Sequence, residues 1–290
     1  MELRYPSDQG VYAPNSITWR LSRERVMLIG GPRALLLQVA HPLVAAGVAD
    51  FSSFRSDPLL RLRRTLDSTL ALVFGDRATS RQAAARINAA HAQVHGSLPE
   101  PAGRYPAGTP YDATDPELLL WVHATLVDTT FAVYTRFVGS LQPDELEHAY
   151  EESKAAALKL RIPPDAIPSN IDAFGCYMDE MLASDRLAGA SFQRAIARDV
   201  LYPPVRWVPR RLHWPTVAVT TALLPPRIRE LFGLEITASS RRLTDWLQTV
   251  VRGILPVVPR ALRDMPQARR AYRATAERSG AADGEELDPS

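Results

Sequence analysis

Apolar positions along the chain recur at helical spacing, and the polar breaks between them carry the chemistry of helix ends. Asp57-Pro58 pairs an N-cap with a first-turn proline ahead of a run from Leu59 to Phe74, and Gly75 stops it. Thr79 or Ser80 caps a predicted helix through about His95, ended by Gly96. A loop rich in Pro and Gly follows over Ser97 to Thr114. Asp115-Pro116-Glu117 then launches a long apolar helix to about Val138. Gln142-Pro143-Asp144-Glu145 starts another to about Leu160, and Asn170 to Leu182 reads as a further one. Beyond residue 200, prolines at 203, 204, 209, 215, 225, 226, 256, 259 and 266 predict short helices between bends, because proline removes a donor and clashes backwards. The apolar run Val26–Phe51 is broken by Pro32, Arg33, Gln38, His41 and Pro42. It therefore predicts a buried helix, kinked near His41-Pro42, rather than a membrane span. No convincing set of alternating strands and no internal repeat is found. The expectation is an all-α chain: an N-terminal extension over 1–24, a single large helical domain over 25–275, and a disordered tail over 276–290.

Composition narrows the functional classes. The chain has 290 residues, 46% of them apolar, and 34 Lys+Arg oppose 32 Asp+Glu. The formal charge of +2 gives no electrostatic reason to expect a nucleic-acid partner. Cys176 stands alone, which excludes an internal disulfide and any Cys-rich zinc or iron–sulfur site. Met1 to Arg23 is polar and lacks the apolar stretch of a secretory signal, so a cytoplasmic location without a transmembrane segment is expected.

Candidate chemistry rests mainly on the six histidines. His123 and Asp128 stand in the apolar helix launched at Asp115, five residues apart and so on different faces. A buried carboxylate there needs a partner. Arg61 and Thr65, with Arg64 beside them, share a helix face and read either as a solvated basic stripe or as donors to a bound oxidant or anion. His91 and His95 are predicted one turn apart on one helix, the spacing of a metal pair. The Glu that zinc proteases place after the first His is absent, and one proximal imidazole for haem fits the run better. Glu145-x-x-His148 occurs once, whereas a di-iron bundle needs two such elements. Gly30-Gly31-Pro32-Arg33 lacks the fingerprint of a phosphate loop, and His41 falls at the kink.

Several of these residues fall into an ordered set. Pro32-Arg33-Ala34 with Ala40-His41-Pro42 is followed by Asp57-Pro58, Arg61-Leu62, Thr65 and Phe74-Gly75. Next come Ile87-x3-His91-x2-Val94-x-Gly96, Asp115-Pro116-Glu117-Leu118-Leu119 and Trp121-Val122-His123-Ala124-Thr125, then Leu223-Leu224-Pro225-Pro226-x-Ile228-Arg229. In this order they resemble the family that unites bacterial rubber oxygenases (latex-clearing proteins) with the mycophenolic-acid pathway oxygenase. The resemblance implies a distantly globin-like core holding haem b, with dioxygen and an apolar, unsaturated small or medium substrate as reactants. It implies His91 as the iron ligand and Arg61 and Thr65 as the distal pair. Arg64 takes the place of the rubber enzymes' distal Lys, and Arg cannot lose its proton to become a neutral ligand. His123, His41 and Asp128 would line or brace the cofactor pocket. Two other classes remain open: a non-catalytic haem or small-ligand binding protein, and a non-haem metal hydrolase using His91, His95 and His123.

Overall fold

The computed structural model describes residues 10–51, 58–203 and 209–274, with backbone alone for 51, 58–65 and 210. The expected tail over 276–290 lies outside the described residues. The fold is all-α: α1 (Ile17–Ser22), α2 (Gly31–Ala40), α3 (Pro42–Phe51), α4 (Pro58–Phe74), α5 (Arg77–His91), α6 (Pro116–Phe137), α7 (Pro143–Lys159), α8 (Ile171–Ala183), α9 (Ser191–Leu201), α10 (Trp214–Leu223), α11 (Pro226–Phe232), α12 (Ala238–Ile254) and α13 (Arg260–Arg263). Among the described residues the sole sheet pairs β1 (His95–Ser97) with β2 (Pro110–Asp112), antiparallel.

The helix starts follow their capping chemistry. Asp115 accepts the Glu117 amide at 2.8 Å, and Asn170 accepts that of Ala173 at 2.8 Å. Glu145 turns back to the Gln142 amide at 2.9 Å. That contact, with the ion pair to Arg20, explains Glu145 as a helix-start residue rather than a metal ligand.

α6 is the central helix. Its length and apolarity would suffice to cross a membrane, yet half of its most apolar window is buried inside the protein. Trp121 is fully buried and donates through Nε1 to the Leu37 carbonyl on α2 at 3.2 Å. Around these two helices one core gathers Leu36, Ala124, Tyr150, Phe174, Met178, Leu201 and Ile228, from six helices spread along the chain. The segment before α2 comes so close to α6 that a Cβ on Gly30 would lie 2.7 Å from Thr129 Cγ2 and 2.8 Å from Val133 Cγ2. Glycine is required there to let the backbones approach.

The kink expected at His41-Pro42 is present, and α3 leaves α2 at 110°. Bending frees carbonyls at the end of α2, and the chain satisfies them from a distance. The Gln193 side-chain amide donates to Val39 O at 2.8 Å and Ala40 O at 2.9 Å, while the Ala188 amide donates to Ala40 O at 2.9 Å.

Residues 10–24, expected as an extension ahead of the helical domain, pack against it. Trp19 is buried edge-on against Phe74 and Tyr272. At the end of this stretch, buried Glu24 pairs with Arg263 at 2.6 Å and joins the two ends of the described chain.

Two expectations are corrected. The helix predicted through His95 stops at His91, and its N-cap is Asp76, whose carboxylate accepts the Thr79 amide at 2.8 Å. Residues 95–97 are drawn into the sheet, where the Tyr111 ring covers Gly96 so closely that a Cβ would meet its hydroxyl at 2.6 Å. This tertiary pairing overrides the local helical pattern. Among the helices beyond residue 200, α12 runs for 17 residues, since no proline falls between 226 and 256.

Candidate functional site

A cavity of about 830 Å³ opens beside α6, within the usual range of ligand pockets, about 300–1,000 Å³. Its walls come from α1, the 25–35 stretch, α4, α6, α7 and the α9–α10 region. α4 contributes Leu66, Thr69, Leu72 and Val73, spaced as one helix face. α7 contributes Ala149, Ser153 and Ala156, small residues at i, i+4 and i+7 that leave room for the space.

Several polar groups in these walls are satisfied within the protein. The Thr130 hydroxyl donates to Leu126 O at 2.9 Å and the Ser153 hydroxyl to Tyr150 O at 2.6 Å. Thr129 Oγ1 accepts from Arg33 Nη1 at 2.6 Å. His123 differs. It is 8% exposed, lines the cavity, and its Nε2 is buried without a hydrogen-bond partner. Burial lowers its pKa to about 4, so the ring is neutral at physiological pH.

The remaining candidates are distributed around this cavity rather than gathered in it. His91 ends α5, half-buried, with Nδ1 buried and unpartnered and its pKa lowered by burial. It does not line the cavity. Its helix packs along α4, however, and α4 carries Leu66 and Thr69 of the cavity wall. Arg61, Arg64 and Thr65 occupy the first turns of that same helix, and their side chains lie outside the described ones. His95 is exposed in β1 opposite Asp112, so the expected His91–His95 pair on one helix face does not exist.

His41 sits at the α2–α3 bend, 2% exposed, with Nε2 3.2 Å from the Tyr105 hydroxyl. Burial, then the charges of Arg186 and Arg104, push its pKa down to about 3. It is a core histidine of the bend and does not line the cavity. Nor does Asp128, whose carboxylate pairs with Arg33 Nη2 at 2.7 Å. The Arg33 guanidinium is itself 3% exposed and donates a third bond, from Nε, to Leu223 O at 2.8 Å. Arg33 was therefore the missing partner of the apolar helix's carboxylate, and its own place after a Gly-Gly-Pro start gave no sign of it. Among the described residues no three His, Cys, Asp or Glu side chains gather as a metal site, so His91, His95 and His123 do not form the cluster of a hydrolytic metal centre.

Comparison with known proteins adds to this geometry. Residues 19–253 match the family model described as ER-bound oxygenase mpaB/B'/Rubber oxygenase, catalytic domain. The Uncharacterized protein Mb2261 of Mycobacterium bovis is 27% identical over 228 residues, covering 75% of this chain and 84% of its own. The Uncharacterized protein Rv2237 of Mycobacterium tuberculosis shows the same identity and coverage. No solved structure matches the chain.

Proposed function

Because the chain belongs to the family of the mpaB and rubber oxygenase catalytic domains, we propose that it is a haem b-dependent oxygenase that uses dioxygen on an apolar, unsaturated substrate of small or medium size. The observation that carries this reading is the cavity of about 830 Å³ inside the family-matched stretch, apolar in its walls and lined by a neutral imidazole.

Two imidazoles support that cofactor, His123 in the cavity wall and His91 outside it on the helix packed along α4. Haem iron takes one neutral imidazole and an apolar chamber. His91 and His123 are both held neutral by burial, each with a buried ring nitrogen that has no protein partner. We assign His91 to the iron, on the family resemblance of its surroundings and because α5 packs against the helix bearing Arg61, Arg64 and Thr65. Bound haem would supply dioxygen binding and electron transfer, which none of these side chains can provide. The two guanidiniums and the hydroxyl on α4 would supply donors where negative charge develops on oxygen. The apolar walls exclude water and hold the substrate's hydrocarbon body. His41 and Asp128 brace the helices that form the walls.

Absorption spectroscopy of the purified or haem-reconstituted protein tests this directly. An intense Soret band followed by alkene-dependent dioxygen uptake is the expected result. A protein that cannot take up haem would leave the oxygenase reading without its cofactor. A Soret band with no turnover would support a second reading from the same cavity, non-catalytic binding of haem or a small apolar ligand.

A further inference from the structure

One buried polar atom without a hydrogen-bond partner belongs to a residue of the cavity wall. Among the described residues, the buried side-chain nitrogens and oxygens without a hydrogen-bond partner include those of Trp19, His41, His91 and Thr220, and of all of them only His123 Nε2 belongs to a cavity-lining residue. The hydroxyls of Thr130 and Ser153 give their protons to backbone carbonyls and keep only acceptor lone pairs. An orphaned polar atom in an apolar wall is unfavourable, and native proteins seldom leave one without a use.

We propose that His123 anchors the single polar group of an otherwise apolar substrate, and that this group is a hydroxyl. The proposal rests on the oxygenase reading only for the word substrate; the binding itself requires no reaction. The chemistry selects the group. A neutral imidazole nitrogen is a donor in one tautomer and an acceptor in the other, and a hydroxyl can answer either. A pure hydrocarbon would leave Nε2 unpaired. A carboxylate would bring a charge into an apolar space, which is far more unfavourable than bringing in a neutral group. The ligand class is therefore an apolar alcohol or phenol, its hydroxyl against α6 and its hydrocarbon body along the α4 and α7 walls. Bound in this way, the molecule has one fixed end, so the position of any reacting carbon is set by its distance from the hydroxyl.

A two-ligand, two-protein comparison tests this on the full chain as purified, with its haem content recorded. The ligands are dodecan-1-ol and tridecane, which differ by hydroxyl against methyl, and the proteins are the wild type and His123→Phe. Affinities are read by displacement of a fluorescent apolar probe. Each ligand's own hydration cancels in the ratio of ratios, leaving the coupling between the imidazole and the hydroxyl. The wild type should favour the alcohol over the alkane by about tenfold more than His123→Phe does. His123→Gln, which retains a polar group of similar reach, should recover part of that preference.

Equal ratios in the two proteins would overturn the proposal. So would loss of the Soret band in His123→Phe with its retention in His91→Ala, since Nε2 would then be bound to iron. Should His123→Phe not fold, nitrogen-15 resonances of the wild-type imidazole decide instead. They should shift with dodecan-1-ol and not with tridecane, and an equal response to both refutes the anchor. Failure to take up haem with the alcohol preference intact would remove the oxygenase reading and leave the anchor standing.

Discussion

Arg33 and Asp128 meet at 2.7 Å across the contact between α2 and α6, and the same guanidinium also holds Thr129 and the Leu223 carbonyl that ends α10. One buried cation thus ties three helices together at the edge of the cavity. Removing the acid alone leaves that cation short of its counter-charge, a change that costs about 3–5 kcal/mol in fully buried pairs. The Asp128 side chain is 28% exposed, so Asp128→Ala should lose less, about 2 kcal/mol. The measurement is denaturant unfolding, paired with haem content per folded molecule. Stability should fall while haem content holds; the reverse would make Asp128 a cofactor residue.

His91 and His95, four residues apart in sequence, occupy different structures, one at a helix end and the other in a strand. His91→Ala should purify nearly colourless, whereas His95→Ala should keep its Soret absorbance. Loss of an indirect support typically changes affinity by only about 10–100-fold, so haem titration separates the two effects. A His91→Ala protein with unchanged spectrum would move the iron to another histidine.

Acid stability should be set partly by the two most buried histidines. The folded pKa of His123 is about 4 and that of His41 about 3, against 6.5 when unfolded. Between 6.5 and those values the unfolded chain binds protons that the folded one refuses, so stability is full above about pH 6.5 and falls as pH falls through this window. The gap for His123 corresponds to on the order of 3 kcal/mol. Urea unfolding at pH 7 and pH 4.5 should show a marked loss in the wild type and a smaller one in His123→Phe. An equal loss in both would place the acid sensitivity elsewhere.

Gly189 lies under the backbone of α11, where a Cβ would stand 2.1 Å from Leu231 O. Neither backbone can yield without moving α11 or the Ala188–Ala40 hydrogen bond next to it. Gly189→Ala should therefore destabilise by about 1–3 kcal/mol, the range of overpacked sites. A thermal melt reads it, and a midpoint within a degree of wild type would contradict the close approach.

Much of the architecture was legible because caps and prolines are local. Asp115-Pro116 and Gln142-Pro143 mark their helices to within a residue, and Pro42 marks the bend. His95 was misread because the helical pattern around it is local while the pairing with Asp112 is not. His123 could be singled out on an apolar helix, but its unpartnered nitrogen depends on where α4 and α7 pass. Arg33 could be singled out in the Gly-Gly-Pro-Arg run, but its three partners come from positions about 95 to 190 residues away.

The bend at His41 also imposes an order on synthesis. The carbonyls it frees on Val39 and Ala40 are answered by Gln193, 154 and 153 residues later. At about 5–20 residues per second, a ribosome needs roughly 8–30 s to produce that stretch. Once they leave the tunnel, Leu36, Leu37 and Val39 wait for the rest of that interval without α9 to cover them. The nascent chain thus carries an oily segment without its final cover for far longer than helices take to form.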